Sequence, residues 1–173
     1  EVVKNYGKGP ALVLVFDTEA AGRFREELIR RRISPDNIKT ITAADTEEEI
    51  KQALAGAGKS AYAITIMTKL GHAGKNIIFS EGFKKNVLAV STYCDRSPYV
   101  LGQFSFRAVR EKEGRARLVA HWSVRDEVFR INAPKVAPES YYVLRDEVKK
   151  IGAVSHRDFP EIDKIVKGIQ RLL

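Results

Sequence analysis

Residues Ala11–Phe16 read Ala-Leu-Val-Leu-Val-Phe, an unbroken apolar run with no position left to face water. A strand of that kind is buried on both faces, the condition of a parallel sheet covered by helices rather than of a half-solvated antiparallel one. Gly7-Lys-Gly-Pro10 precedes the run, and Asp17-Thr18 after it can cap a helix that continues to about Arg32. Ile38 to Thr42 reads as a second strand. Thr46-Glu-Glu-Glu49 is then a capping box opening a helix whose Ile50, Ala53 and Leu54 face a core. Tyr62 to Met67, Ile77 to Phe79, Val87 to Thr92 and Ala116 to Val124 are further strands, with glycine-rich connections at Gly71 to Gly74 and around Gly82. Strands alternating with helices predict an α/β fold: a mostly parallel sheet covered by helices on both faces. Pro134 and Pro138 mark a boundary before two amphipathic helical stretches, Glu139 to Lys150 and Phe159 to Leu173. The expected organisation is one α/β domain over residues 1–131 and a helical extension or linker over 132–173.

With 173 residues, 44% of them hydrophobic, the chain can bury one proper core. Its net charge of +8 favours anionic partners without choosing among them. Lysines and arginines are interspersed with acids through Arg23 to Arg32, Lys84 to Lys85, Arg107 to Arg117 and Lys149 to Lys150, a pattern of solvated surface rather than of a continuous track, so a nucleic-acid partner is not expected. Cys94, the only cysteine, allows no internal disulfide and fits a reducing compartment. With His72, His121 and His156 it forms no zinc spacing. No apolar run approaches the roughly 18 residues of a membrane span, so a soluble protein, cytoplasmic or peripheral at a membrane, is expected. The start at Glu1 is abrupt enough to suggest a fragment of something longer.

The segment that points most directly to chemistry runs from Ser97 to Arg110. Ser97 can cap a helix, Pro98 suits its first turn, and Val100, Phe104 and Ala108 form an apolar stripe. Gln103, Arg107 and Arg110 then fall at i, i+4 and i+7, on one face. Two guanidiniums aimed together match phosphate oxygens, and the glutamine amide can orient a water or a ribose hydroxyl. The same spacing also describes a basic helix face that only meets water. Gly56-Ala-Gly-Lys-Ser60 imitates the end of a phosphate-binding loop, but Ala53 stands where that pattern needs glycine, and the segment ends a helix where a phosphate loop opens one.

The order of these parts resembles a known family, the second nucleotide-binding motor domain of the SecA preprotein translocase ATPase within the superfamily 2 helicases. The resemblance covers roughly residues 5 to 130. Lys8-Gly-Pro-Ala-Leu-Val-Leu-Val-Phe-Asp-Thr18 resembles the domain's first strand and turn, and Glu49-Ile-Lys-Gln-Ala-Leu-Ala-Gly-Ala-Gly-Lys59 the helix before motif V. Ala63 to Ile77 sits in the place of motif V, and Val90-Ser-Thr92 through Gln103-Phe-Ser-Phe-Arg-Ala-Val-Arg110 in that of motif VI, followed by Ser123-Val-Arg-Asp126. The resemblance implies a RecA-like fold without its own phosphate loop. It implies Arg110 as an arginine finger, Arg107 as a second phosphate or interdomain contact, and Gln103, Gly74 and Asn76 as nucleotide-binding residues. ATP and Mg²⁺ would be held only with an N-terminal motor domain that supplies the phosphate loop and the carboxylates, and a polypeptide is the implied substrate.

The chain departs from the family in particular places. Where motif V has Gly-Arg-Gly-Thr-Asp, this sequence has His72-Ala-Gly-Lys-Asn76. Phe106 replaces a glycine of motif VI, and Tyr93 stands where SecA has an acid. These changes keep a second class of function open, a degenerate motor domain serving as a protein-binding module. A nucleic-acid translocase, resting on the charge, is a third. Among the remaining residues, His72 reads as an exposed loop histidine, Cys94 as an incidental thiol, and His121 and Trp122 as packed strand residues.

Overall fold

The computed structural model describes residues 1–68, 77, 80–83, 86–93, 116–121 and 126–151, and four positions of the last segment, 162, 164, 165 and 168. They fall into two compact units, one holding residues 1–93 and 116–121, the other the helices from residue 126 onward.

The first unit contains α1 (Val2–Asn5), β1 (Ala11–Val15), α2 (Thr18–Arg30), β2 (Ile38–Ile41), α3 (Glu47–Ala57), β3 (Ile64–Thr68), β4 (Val87–Ser91) and β5 (Ala116–Ala120). The five strands form one sheet in the order β2-β3-β1-β4-β5, and every pairing is parallel. All five residues of β1 are buried, as the apolar run requires of the central strand. Their side chains alternate between two cores. Leu12 and Leu14 join Ile41, Leu54, Ala57 and Met67 beneath α3. Ala11, Val13 and Val15 join Ala21, Leu28, Ile64 and Ile66 beneath α2. The sheet is therefore covered on both faces, as an α/β reading demands.

The local signals behave as expected. The Asp17 side chain accepts a hydrogen bond from the Ala20 amide at 2.7 Å and caps α2. The capping box of α3 is complete: Thr46 Oγ1 accepts from the Glu49 amide, and the Glu49 carboxylate accepts from the Thr46 amide at 2.8 Å. At its other end α2 closes with both bonds of a Schellman turn, Ile33 N to Leu28 O and Arg32 N to Ile29 O, with Arg32 at φ 66° in the left-handed position that glycine normally takes.

Boundaries shift by small amounts. β1 ends at Val15, which leaves Phe16 beyond the strand, and β3 starts at Ile64 rather than Tyr62. Ile77 is buried in the α3-side core outside any strand; residues 78 and 79 of that expected strand lie outside the described residues. β5 stops at Ala120, short of Val124.

In the second unit, α4 (Glu127–Val136) and α5 (Pro138–Ile151) follow one another. α4 was not foreseen, and Pro134 lies inside it rather than at a boundary. The missing proline amide would have bonded Arg130, but the helix ends two residues later, so little of it is broken. Pro138 opens α5, where its absent amide is one of the helix's unbonded donors. Phe129, Ala133, Ala137 and Tyr141 recur every four residues and are buried, with Leu144 one turn further. Residues 162, 164, 165 and 168 are helical, as expected within Phe159 to Leu173.

Candidate functional site

Because all strands are parallel, their carboxyl ends lie along one edge of the sheet. From β1 the chain turns through α2 toward β2 on one flank. From β4 it proceeds to β5 on the other. β1 and β4 are neighbours, paired from Ala11↔Leu88 to Leu14↔Ser91, so their outgoing connections diverge between them. Such a divergence opens the crevice where ligands bind in sheets of this kind.

Both stretches holding the expected site residues follow strands of this edge. The stretch with Gly74 and Asn76 follows Thr68, the last residue of β3, and the stretch with Gln103, Arg107 and Arg110 follows Tyr93, just past β4. Gly74 and Asn76 in the first, and Gln103, Arg107 and Arg110 in the second, lie outside the described residues. So do His72, Cys94, Phe106 and Trp122.

What the structure describes is the frame from which those stretches depart. Thr92 ties the end of β4 to β1 twice, its amide donating to Leu14 O at 2.9 Å and its hydroxyl to the same oxygen at 3.0 Å. The Ser91 hydroxyl donates to Tyr93 O at 2.7 Å. Tyr93 is buried in the α3-side core and meets Phe16 edge-on, ring centroids 5.4 Å apart and planes at 88°. At this position the chain uses a packing residue. Phe16 itself, which the sequence places in the strand, is 69% exposed at the divergence.

His121 is a correction. It was expected to pack within a strand, but it lies one residue past β5, is exposed, and lines a groove of about 560 Å³ with Glu1, Lys4, Phe24, Leu28 and Thr92. Its amide donates to Ser91 O at 2.8 Å, so the backbone still follows β4 while the side chain leaves the sheet. Arg117 donates to Glu1 at 2.5 Å and holds that carboxyl below its ordinary value. Along α2, Arg23 pairs with Glu19, and Arg30 and Arg31 both pair with Glu27. Two carboxylates, Glu19 and Glu27, thus pair with three of the five arginines of that run.

Gly56 to Ser60 behaves as a helix end: Gly58 is the C-cap of α3, the Lys59 amide donates to Gly56 O at 3.2 Å, and the chain proceeds to β3. Among the described residues, no group of His, Cys, Asp and Glu could hold a metal ion, and no helix is long and apolar enough to cross a membrane.

No family model and no curated protein matches the chain. Among solved structures it is similar to domain 2 of the DEAD-box helicase Mss116p, seen bound to an RNA duplex, with a TM-score of 0.54 and 12% identity over 97% of this chain and 77% of that one. At that identity the likeness is one of fold alone: this chain has a RecA-like α/β architecture, an all-parallel sheet covered on both faces.

Proposed function

We propose that this chain is the second motor domain of a SecA-like ATPase. It supplies Arg110 and Arg107 to an ATP site whose phosphate loop and magnesium-binding carboxylates belong to an N-terminal motor domain, and closure of the two moves a polypeptide. The observation that carries the reading is topological. The strands that precede the two stretches in sequence, β3 before Gly74 and Asn76 and β4 before Gln103, Arg107 and Arg110, end on one carboxyl edge, and β4 borders the β1–β4 divergence. Guanidiniums placed there would stabilise the charge that grows on a transferring phosphoryl group, while Gln103 orients a water or ribose hydroxyl and Gly74 and Asn76 contact the nucleotide.

Steady-state phosphate release by the chain together with its N-terminal motor domain tests this. Arg110→Ala should lower turnover by roughly a thousandfold and leave nucleotide affinity nearly unchanged, because a finger acts on the transition state. Wild-type turnover in that variant would reduce the helix to a basic surface. The isolated chain should turn over no ATP, since Gly56 to Ser60 ends a helix instead of opening one.

The run His72-Ala-Gly-Lys-Asn76 favours a second reading, a degenerate domain that binds a protein partner, because the motif V arginine and carboxylate are both replaced. An assembly that binds a polypeptide without hydrolysing ATP would decide for it. A nucleic-acid translocase is a third reading, and the RNA duplex seen with Mss116p domain 2 lends it weight. The Glu19 and Glu27 pairs along α2 count against it, and submicromolar binding of a labelled oligonucleotide at physiological salt would promote it to first.

A further inference from the structure

Phe16 is the one large apolar side chain described as exposed at the carboxyl edge. The others, Val3, Tyr62, Ile131, Tyr142 and Val143, lie on α1, ahead of β3, or on the helices of the second unit. A single exposed apolar residue needs no explanation by itself. Phe16, however, is held rather than left loose. Its ring is braced edge-on by buried Tyr93. The next residue, Asp17, is committed to capping α2, and Thr92 pins the end of β4 to Leu14, two residues before Phe16. A fixed flat ring is thereby presented to solvent where the outgoing connections diverge.

Such a surface offers no hydrogen bond and no charge, so it does nothing for phosphates. It does offer a π-face at little entropic cost on binding, which suits a planar heteroaromatic ring. We propose that Phe16 is the stacking surface for the base of the bound nucleotide, complementing the arginines proposed above for its phosphates; this rests on the nucleotide-site reading above. The ring acts on affinity for the base and leaves phosphoryl transfer to other groups.

Calorimetric titration of the assembly with ATP and, separately, with inorganic tripolyphosphate tests the assignment, because the second ligand has the phosphates and no base. Phe16→Ala should weaken ATP binding about tenfold and leave tripolyphosphate binding as in the wild type. Phe16→Leu, which keeps apolar bulk without a π-face, should lose ATP affinity to a similar degree. Phe16→Trp should retain it and show indole emission quenched on adding ATP. Unchanged ATP affinity in Phe16→Ala, or equal loss for both ligands, overturns the proposal and leaves the nucleotide site standing. Loss of oligonucleotide affinity without loss of ATP affinity also overturns it, giving the ring to a nucleic-acid base instead. A wild-type assembly that binds neither ATP nor tripolyphosphate removes the nucleotide site and this inference together.

Discussion

The amino and carboxyl edges of the sheet belong to the same strands but are finished differently. At the amino edge the lead-in to β1 is threaded between those of β3 and β4. The Gly7 and Ala11 amides donate to Ala61 and Ala63 carbonyls, and the Leu88 amide to Pro10 O. Asn5 Nδ2 donates to Gly9 O at 2.9 Å, Asn37 Nδ2 donates to the Tyr6 hydroxyl at 2.6 Å, and the Tyr6 and Tyr62 rings meet edge-on at 5.1 Å. Lead-ins and side chains are consumed in holding the strands together. Among the described residues the carboxyl edge ties down the strand ends, caps α2 and α3, and presents Phe16 and His121 to solvent. A parallel sheet thus separates the edge that secures the fold from the edge whose loops are free to carry function.

Substitutions with opposite effects on activity and stability can break that division. The largest effect is expected for Arg110→Ala, whose roughly thousandfold loss of turnover should come with a stability change of no more than about 0.5 kcal/mol. Paired phosphate-release and urea-unfolding measurements would show this. A comparable loss of stability would make the Arg110 segment part of the fold's support and erase the contrast. Gly9→Ala, at the amino edge, is the converse case. A Cβ built there lies 2.0 Å from the Asn86 carbonyl oxygen, a collision with backbone that no rotamer relieves. It should cost about 3 kcal/mol, read as a lowered urea midpoint, and a neutral outcome would show that the threading is not tight.

Two smaller effects sharpen the comparison. Thr46 starts α3 on the carboxyl side of the sheet, so this edge is not free of structural duty. Thr46→Ala should cost about 1 kcal/mol by loss of the cap. It should also flatten the acid limb of the stability curve. The Thr46 hydroxyl and amide hydrogen bonds hold the Glu49 carboxyl below its ordinary value of 4.5, so its contribution is full above that pH and is lost as the pH falls below it. Chemical denaturation from pH 6 down to pH 3 checks both. The smallest effect is a gain: Arg32→Gly, just past the carboxyl-terminal end of α2, relieves a left-handed arginine and should raise stability by about 0.5 kcal/mol. A loss there would mean that the Arg32 side chain contributes more than its backbone position costs.

The candidate site rests on sequence spacing alone: Gln103, Arg107 and Arg110 share a face under a helical reading and lie outside the described residues, whereas Gly56 to Ser60 could be set aside because of what precedes it, and it does end a helix. Phe16 was not legible. As the sixth residue of an apolar run it is indistinguishable from the five buried ones, and only the end of pairing at Val15, with Tyr93 arriving from β4, leaves it at the surface. His121 was misread for a related reason: alternation predicts packing only while the strand continues, and β5 stops one residue earlier.

The sequence by itself determined the five strands β1 to β5 and the helices α2, α3 and α5, how α2 and α3 begin, and that the sheet is parallel and covered on both faces. Those properties follow from local hydrophobic period and capping chemistry, which act over a few residues. Only the tertiary structure decided the order β2-β3-β1-β4-β5 and with it the neighbourhood of β1 and β4, the close approach of Gly9 to Asn86, the exposure of Phe16 and the place of Pro134 inside α4. Each depends on contacts between residues distant in the chain, or on where a helix is allowed to end, and no short window of sequence carries that information.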